Sequence, residues 1–403
     1  MKQNHLPGCI ATAVILGLGI TSAPARAELF SWLPPSVQIH GFLSQGAIWT
    51  SENNFFGDSK DDISLDFREL GLNASWRPFP SLQFSTQVLS REAGNGDDGD
   101  LRIDYGFVDY AFIADMQNLW GLRAGRVLNP YGLYNDTRDV AFLRPSILLP
   151  ESIYFDTTRA LSLSGDGLQL YGERRNDWGD LFFQFSAIQP RVDDPETEQE
   201  LFAGDAPGDL QPDPSFLSRL IYEYDGGRVR LAASALSINV DYKPGEMDFF
   251  QEGRFRFNAL YFSAQYNALN WSLTGEYALR NFRFRKFGPA LPDNTSTGES
   301  FYIQGTYRFT PTLEGLIRYD VLYADRDDRD GSDFAAATGL PAHRRFARDF
   351  TLGLRWDVTR SLMLRAEYHN INGTGWLPFV DNPDILGTEQ HWKLFSVLAS
   401  YRF

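Results

Sequence analysis

The sequence predicts an all-β fold, a transmembrane antiparallel β-barrel of about 16 strands. Three observations carry this prediction. Segments of roughly 9–13 residues recur in which apolar and polar side chains alternate, as they do in strands with two different faces. The connections between these segments are alternately short and long. Beyond residue 27, no apolar stretch approaches the ~20 residues of a membrane-spanning helix, and aromatic residues make up 15% of the chain.

One segment shows how clear the alternation is. In 312–325, Ile317 and Tyr319 fall on one face, whereas Arg318 and Asp320 fall on the other. Helical spacing would mix these side chains, so the segment is predicted as a strand. The sixteen predicted strands are 37–50, 64–76, 81–91, 102–113, 119–127, 166–175, 180–190, 215–225, 228–241, 254–267, 270–285, 299–309, 312–325, 347–358, 360–371 and 391–403.

The connections form two classes that follow one another in turn. Seven short ones, such as 226–227 and 310–311, separate eight long ones rich in Asp, Gly, Pro and Asn. Short turns at one end and long loops at the other are typical of outer-membrane barrels. A sheet edge open to lipid would leave backbone groups without hydrogen bonds, so the first strand is expected to pair with the last.

The N-terminus has the features of a secretory signal. Lys2 precedes an apolar run at 10–20, and the small residues of 23–27 offer a cleavage point. The apolar run has about 11 residues, which is too short to cross a bilayer. The predicted domains are a signal peptide at 1–27, a periplasmic lead-in at 28–36 and the transmembrane barrel at 37–403.

Charge and cysteine content exclude several functions. The formal net charge is −15, and loss of residues 1–27 removes Lys2 and Arg26 without any acid, which leaves −17. An exported chain this acidic is a poor candidate for binding nucleic acid. Cys9 is also lost with the signal peptide, so the mature chain has no disulfide, thiolate metal site or cysteine nucleophile.

Motifs that suggest other chemistry are incomplete. The tripeptide 57–59, Gly-Asp-Ser, begins an esterase signature whose later Asp-x-x-His element is missing. The histidines are too scattered for a metal motif. The acidic stretch 325–333 resembles a calcium loop, but Arg329 stands where an acidic or amide ligand is required. No catalytic group, metal site or cofactor is therefore predicted.

The face opposite the apolar one is expected to line a water-filled interior. From residue 215 onward this face carries more arginine than acid, and local rings of charge decide ion preference more than net charge does. The alternative for each arginine is a structural ion pair between neighbouring strands. The predicted pore-lining residues are Arg219, Glu223, Arg228, Arg230, Arg254, Arg256, Glu276, Arg308, Arg318, Asp320, Arg355, Arg365, Glu367 and His369.

Aromatic residues cluster near the predicted strand ends, where amphipathic rings sit at headgroup depth in membrane barrels. The predicted members of these aromatic girdles are Trp49, Trp76, Trp120, Phe282, Phe284, Trp392, Tyr401 and Phe403.

The chain ends within a strand. In 396–403, Tyr401 and Phe403 point to the same side as the apolar residues, and Phe403 is the last residue. The signal peptide, the alternating segments and this terminal Tyr-Arg-Phe resemble a Gram-negative porin. The resemblance implies that Tyr401 and Phe403 form an assembly signal for the barrel assembly machinery. It also implies a homotrimer among outer-membrane lipid and lipopolysaccharide.

The third long connection, 128–165, is the longest. It combines apolar pieces with charged residues, and the resemblance implies that it folds into the lumen as a constriction loop; an extracellular cap is the alternative. In general porins a basic wall faces acidic groups on this loop, and Arg318 and Arg355 facing Asp139 or Glu151 would be an analogue. The family's basic wall lies on early strands whereas these arginines lie on later ones, so the resemblance implies the arrangement and not these residues. The predicted constriction-loop residues are Asp136, Arg138, Asp139, Arg144, Glu151 and Asp156.

The predicted function is an outer-membrane porin that lets small hydrophilic solutes diffuse through a water-filled channel, with weak anion selectivity and no enzyme activity. A solute-specific channel for phosphate or dicarboxylates is the nearest alternative. Alternatives from other classes are an outer-membrane enzyme and a closed structural or adhesin barrel.

Overall fold

The computed structural model describes residues 32–192, 195–202, 204 and 206–403. The chain divides into two compact units, Met1–Pro34 and Pro35–Phe403. The predicted signal peptide at 1–27 and the first part of the lead-in at 28–36 lie outside the described residues. Within the described residues, the second unit forms a closed barrel of sixteen strands, which confirms the predicted fold class.

The sixteen strands are β1 (Val37–Thr50), β2 (Phe67–Phe79), β3 (Leu82–Ala93), β4 (Asp98–Ala114), β5 (Asn118–Leu128), β6 (Ser164–Asn176), β7 (Gly179–Pro190), β8 (Asp209–Tyr224), β9 (Val229–Lys243), β10 (Gly253–Asn267), β11 (Trp271–Arg285), β12 (Asn294–Thr310), β13 (Leu313–Tyr323), β14 (Phe346–Asp357), β15 (Leu362–Gly373) and β16 (His391–Arg402). The helices are α1 (Arg159–Leu163), α2 (Pro195–Phe202) and α3 (Ser332–Thr338), with 3₁₀ turns at Asn135–Thr137 and Ala342–Arg345. Within the described residues, none of the helices has the length and apolar character needed to cross a membrane.

Each strand pairs antiparallel with the next one in the chain, and β1 pairs with β16 to close the barrel. Two strands begin five or six residues earlier than predicted, β8 at Asp209 and β12 at Asn294. Asp209 pairs with Lys243, and Asn294 pairs with Phe284. Backbone pairing therefore continues beyond the stretch in which apolar and polar residues alternate, because ladder hydrogen bonds do not require an apolar side chain.

Successive side chains point alternately into and out of the barrel. In β10, Leu260 and Phe262 are exposed on the outside, whereas Tyr261 and Ser263 are buried inside. The same alternation places Ser396 and Ser400 of β16 inward and Val397 outward. An apolar outer face on a closed barrel lets every strand meet lipid without an unpaired edge.

Three of the predicted pore-lining residues lie elsewhere. Arg254 and Arg256 share the outer face of β10 with Leu260, because in this half of the strand the inward residues are Phe255 and its apolar neighbours. The two faces of β10 thus exchange polarity along its length, which the alternation alone does not reveal. Arg228 lies in the exposed turn before β9, 2.8 Å from Asp225.

The prediction of aromatic girdles is correct for some rings and wrong for others. Trp49 and Trp76 are exposed on the outer face near strand ends. Phe282 and Phe284 point inward instead, with ring centroids 5.1 Å from Phe257 and 5.0 Å from Phe255 respectively. Trp392 is also buried inside, where its indole N–H donates to the Gly373 carbonyl at 3.1 Å.

The chain terminus is part of the barrel seam. The Phe403 N–H donates to the Gly41 carbonyl at 3.0 Å, and the Gly41 N–H donates back at 3.2 Å. The Phe403 ring occupies the space above Gly41, so that a Cβ on Gly41 would lie 2.2 Å from the ring Cζ. Next to this pair, the Ser44 hydroxyl donates to Ser400 at 2.8 Å inside the barrel.

Candidate functional site

The connection between β5 and β6, residues 129–163, is called the third loop below. Its backbone is bound by carboxylates that point inward from separate strands. Glu276 of β11 accepts the Tyr154 hydroxyl at 2.6 Å and the Leu133 N–H at 3.0 Å. Glu367 of β15 accepts the Leu148 N–H at 3.2 Å. Buried backbone groups outside regular structure need such partners, so these acids hold the loop in place.

Further contacts come from β13. Asp320 accepts the Ser152 N–H at 3.2 Å and also the Ser152 hydroxyl. Arg318, two residues earlier, donates to the Leu148 carbonyl and to the Ser146 hydroxyl, each at 3.0 Å. β13 therefore binds a backbone N–H of the loop through Asp320 and a backbone carbonyl through Arg318. Hydrogen bonds with one charged partner are stronger than those between neutral groups.

Arginines on β8 and β15 bind loop carbonyls in the same way. Arg219 donates to the Gly132 carbonyl at 3.0 Å and forms an ion pair with Asp136. Arg365 donates to the Arg144 carbonyl at 2.6 Å. The loop is therefore bound by side chains of strands on several sides of the barrel.

A buried ion-pair cluster also joins the third loop to β2 and β3. Both terminal nitrogens of Arg144 bond to Glu69 at 2.9 Å, in a two-point pair. Arg91 contacts Asp156 at 2.7 Å and Asp97 at 3.1 Å. Each charged group loses its hydration on burial, which costs free energy. The cluster is stable only because every charge in it has an oppositely charged partner.

All six predicted constriction-loop residues take part in contacts of the third loop. Besides Asp136, Arg144 and Asp156, Arg138 donates to the Tyr154 carbonyl at 3.0 Å. Asp139 is paired with Arg159 of α1. Glu151 accepts the Asp156 N–H at 3.0 Å.

Arg318 and Arg355, which were considered as a basic wall facing Asp139 or Glu151, both bond to the backbone of the third loop. Arg355 donates to the Phe142 carbonyl at 3.3 Å, and Arg318 bonds the loop backbone as described above. Asp139 and Glu151 bond within the third loop instead, Asp139 to Arg159 of α1 and Glu151 to the Asp156 N–H.

The sequence reasoning missed the charged residues of the first strands. Glu69, Arg91 and Asp97 were not among the predicted residues, yet they anchor the loop. The alternation of β3 does indicate Arg91, because Gln87 and Arg91 both occupy odd positions of this strand and so share its inward, buried face. Arg159 had no such signal, because it lies on a short helix within the loop.

Other predicted lining residues point inward and form pairs. Arg230 contacts Glu223 at 2.6 Å across β8 and β9. His369 of β15 is buried between Asp349 at 2.7 Å and Glu367 at 3.5 Å. Charged side chains that point into this barrel therefore also form ion pairs with one another.

A cavity of about 350 Å³ lies inside the barrel near the short-turn end. Its wall includes Arg144 of the third loop, Arg308, Arg355 and Glu314. Arg308 is 3.5 Å from Glu314. Among the described residues that line the cavity, three carry a guanidinium group and Glu314 carries the one carboxylate. Among the described residues, no group of three or more His, Cys, Asp and Glu side chains is arranged to hold a metal ion.

Comparison with known proteins identifies the fold. No protein-family profile and no curated protein matches the chain. Among solved structures, the outer membrane channel DcaP of Acinetobacter baumannii is 15% identical, with a TM-score of 0.54 over 91% of this chain and 97% of that one. An anion-selective porin from Comamonas acidovorans is 11% identical, with a TM-score of 0.55 over 91% and 98%. The trimer form of OmpT, an outer membrane protein of Vibrio cholerae, is 12% identical, with a TM-score of 0.55 over 91% and 99%.

The chain has the fold of the outer-membrane porins. These neighbours are proteins of the Gram-negative outer membrane, and the apolar outer face of the barrel fits that location.

At the long-loop end of the barrel, two loops from opposite walls meet. Glu200 of α2, between β7 and β8, accepts the N–H groups of Phe379 at 2.7 Å and Val380 at 3.4 Å. Residues 379–380 belong to the connection between β15 and β16, eight strands away around the barrel. This contact joins the two sides of the mouth. Burial raises the pKa of Glu200 to about 7.

We expect this contact to weaken as the pH rises. The Glu200 carboxyl binds its proton more tightly in the contact, where its pKa is about 7, than in water, where it is about 4.5. The contact is therefore most stable below pH 4.5 and loses stability as the pH rises through 7. Hydrogen exchange of the Phe379 and Val380 amides, corrected for intrinsic rates, should show stronger protection at pH 5 than at pH 8.

The variant Glu200→Gln keeps an acceptor oxygen and removes the titration, so its protection factors should not depend on pH. Glu246→Gln makes the same chemical change on an exposed loop residue and serves as the matched control. Equal protection of the native protein at both pH values would contradict this account.

Proposed function

We propose that the protein is a passive channel through which small hydrophilic solutes cross the outer membrane. The porin fold supports this function, and the observation that carries it is the arginine-bordered cavity inside the barrel. A solute-sized space with polar walls is what diffusion of hydrophilic molecules requires.

The third loop is proposed to cross the lumen and to set its narrowest point. In support, its backbone bonds to inward side chains of β8, β11, β13 and β15, and Arg144 pairs with β2. Bonds to inward side chains of so many strands support a position of the third loop inside the barrel. Its many charge-assisted bonds would hold the constriction open at a fixed width.

The channel is proposed to prefer anions weakly. Arg144, Arg308 and Arg355 border the cavity, but Arg144 is paired with Glu69, Arg308 lies 3.5 Å from Glu314 and Arg355 lies 2.9 Å from Asp357, so only a small preference is expected. Charge near a narrow aqueous path affects permeating ions more than the acidic loops at the mouth do.

Planar-bilayer recordings test the proposal. Single-channel steps of the size of open porins are expected, with a reversal potential in a KCl gradient that favours chloride. Replacing Arg308 and Arg355 by glutamine should shift the reversal potential toward potassium. The matched control, Arg174→Gln with Arg254→Gln, removes the same charge from the outer face and should leave it unchanged. A clear cation preference of the native protein would overturn the anion selectivity.

A solute-specific channel for phosphate or dicarboxylates is the second candidate, and a specific observation favours it. Arg318 and Arg365 are buried, yet Nε of Arg318 and both Nε and Nη1 of Arg365 have no protein acceptor among the described residues. Guanidinium donors suit carboxylate and phosphate oxygens, and a solute would reach these two arginines, which are 1% and 4% exposed, only by displacing the third-loop groups around them. Small current steps that phosphate or succinate blocks would favour this candidate over a general pore.

Silence in bilayers would favour a closed structural or adhesin barrel. An enzyme would need an accessible nucleophile beside its base. The Thr351 hydroxyl lies 3.2 Å from His369, but both side chains are buried at 1% exposure or less. A hydrolase assay with the folded barrel separates this class from the others.

The assembly is proposed to be a homotrimer embedded in outer-membrane lipid and lipopolysaccharide, as the trimer form of OmpT suggests. Residues 1–27 are proposed to be removed on export. Tyr401 and Phe403 are proposed to form the signal that the barrel assembly machinery reads, and the close packing of Phe403 on Gly41 supports a role in barrel closure.

A further inference from the structure

Uncharged polar side chains on three neighbouring strands form a continuous surface inside the barrel, called the neutral wall. They occupy two rows of the ladder across β10, β11 and β12. Strands lie about 4.8 Å apart and alternate residues about 7 Å apart, so the wall measures roughly 10 by 7 Å. All of its residues except Thr274 border the cavity of about 350 Å³. The first row is Gln265, Thr274 and Gln304, and the second is Asn267, Ser272 and Thr306.

The neutral wall has hydrogen-bonding capacity that the protein itself leaves unused. Gln304 is 2% exposed, and its Oε1 has no hydrogen-bond partner among the described residues. A buried acceptor without a partner costs free energy, which a donor in the cavity would recover. The hydroxyls of Ser272 and Thr306 lie 2.8 Å apart, and one of the two donates to the other, so one hydroxyl proton of the pair stays available. The wall therefore suits a molecule that both donates and accepts hydrogen bonds.

The guanidinium groups that border the same cavity are already paired. Arg144, Arg308 and Arg355 each have a carboxylate partner within 3.5 Å. An anionic solute would have to compete with these carboxylates for the guanidinium donors. An uncharged solute would leave the three ion pairs intact and would bond to the neutral wall. The distribution of unused bonding groups therefore favours an uncharged ligand.

The third loop contributes apolar surface to the cavity. Leu143 and Pro145 border it, and Leu143 is 56% exposed although it lies on a loop bound inside the barrel. Tyr134 of the same loop also borders the cavity, and its hydroxyl accepts the Gln265 side-chain N–H at 3.2 Å. The cavity thus offers a ligand both apolar contact from the loop and hydrogen bonds from the neutral wall.

We propose that the cavity is a binding site for a neutral sugar of one or two rings. Each sugar hydroxyl donates and accepts hydrogen bonds, as the amides and hydroxyls of the neutral wall do. The C–H face of the ring packs on Leu143 and Pro145. The cavity volume, about 350 Å³, lies at the lower end of the range of about 300–1,000 Å³ for small-molecule sites. The site serves the proposed channel function, on which this inference rests.

The test is a saturation-transfer NMR titration of the purified full-length barrel with glucose, in a detergent that has no sugar headgroup. Tetra-O-methylglucose keeps the ring but lacks most hydroxyl donors, so its dissociation constant should be at least 10-fold higher than that of glucose. Gln304→Leu preserves the side-chain size and removes the unpaired acceptor, and it should raise the dissociation constant for glucose at least 5-fold. Gln117→Leu makes the same change in an exposed short turn and should bind glucose as the native protein does.

Thr306→Val removes a hydroxyl of the second row and should also weaken glucose binding, which covers the case that Gln304→Leu fails to fold. Heat-dependent mobility in gels checks folding. Absence of glucose binding, equal binding of the methylated sugar, or displacement of glucose by millimolar phosphate overturns the sugar site.

Bilayer recordings separate the failure of this site from the failure of the channel function. Single-channel currents from a protein that binds no glucose would overturn the sugar site and leave the channel function standing. Glucose binding by a protein that gives no current would overturn the channel function and leave the sugar site standing.

Discussion

Replacing Gly41 by leucine, or deleting Phe403, is expected to reduce the amount of folded barrel in the outer membrane at least 10-fold. The Phe403 ring lies where the Gly41 side chain would be, and the two residues exchange both backbone hydrogen bonds at the seam. A leucine at 41 would displace the ring, and the deletion would remove the last pair of the ladder. In lipid, the backbone groups freed at the seam find no water to bond.

Gly305→Leu is the matched control for this experiment. Gly305 also faces outward in mid-strand, but the nearest atom to its Cβ position is 3.6 Å away. Heat-dependent gel mobility of outer-membrane fractions measures the folded amount. Normal insertion of the Phe403 deletion would contradict the proposed role of the terminus.

The second large effect is expected at the buried pair of Arg144 and Glu69. Glu69→Gln leaves the Arg144 guanidinium without its carboxylate and also removes a charge 3.7 Å from Arg91. Loss of one partner of a buried ion pair costs about 3–5 kcal/mol. That energy is lost from the attachment of the third loop, so the loop should become sensitive to protease, and single-channel currents should fluctuate.

The double variant Glu69→Gln with Arg144→Gln should recover part of the protease resistance, since no buried charge is then left alone. Asp225→Asn breaks an exposed pair with Arg228 and should have no measurable effect, because water screens both partners. If Glu69→Gln left the third loop as resistant as in the native protein, the loop would not depend on this pair.

Strand positions were predictable where one face meets lipid. β1 and β10 begin and end within one residue of their predicted limits, because apolar and polar residues must alternate wherever lipid is on one side and water or protein on the other. β8 extends six residues beyond its prediction at its N-terminal end, where the strand leaves the apolar band and the constraint on the outer side chains ends.

The direction of individual side chains was less predictable. Arg256 was expected inside because polar residues face the lumen in most of the barrel. Its inward neighbours Phe255 and Phe257 belong instead to an apolar cluster that includes residues of the third loop, such as Tyr131 and Tyr154. What a strand meets on its inner side depends on segments far away in the chain.

The barrel, its strand number and the closing role of the last strand were predictable from the sequence, since these follow from local alternation and from the need to pair every backbone group in lipid. The tertiary structure alone decided the partners of the charged residues. Arg144 meets Glu69 across 75 residues, and Glu200 meets Phe379 across 179. Such pairs depend on how loops fold back onto the closed barrel, and local patterns of polarity carry no information about that distance.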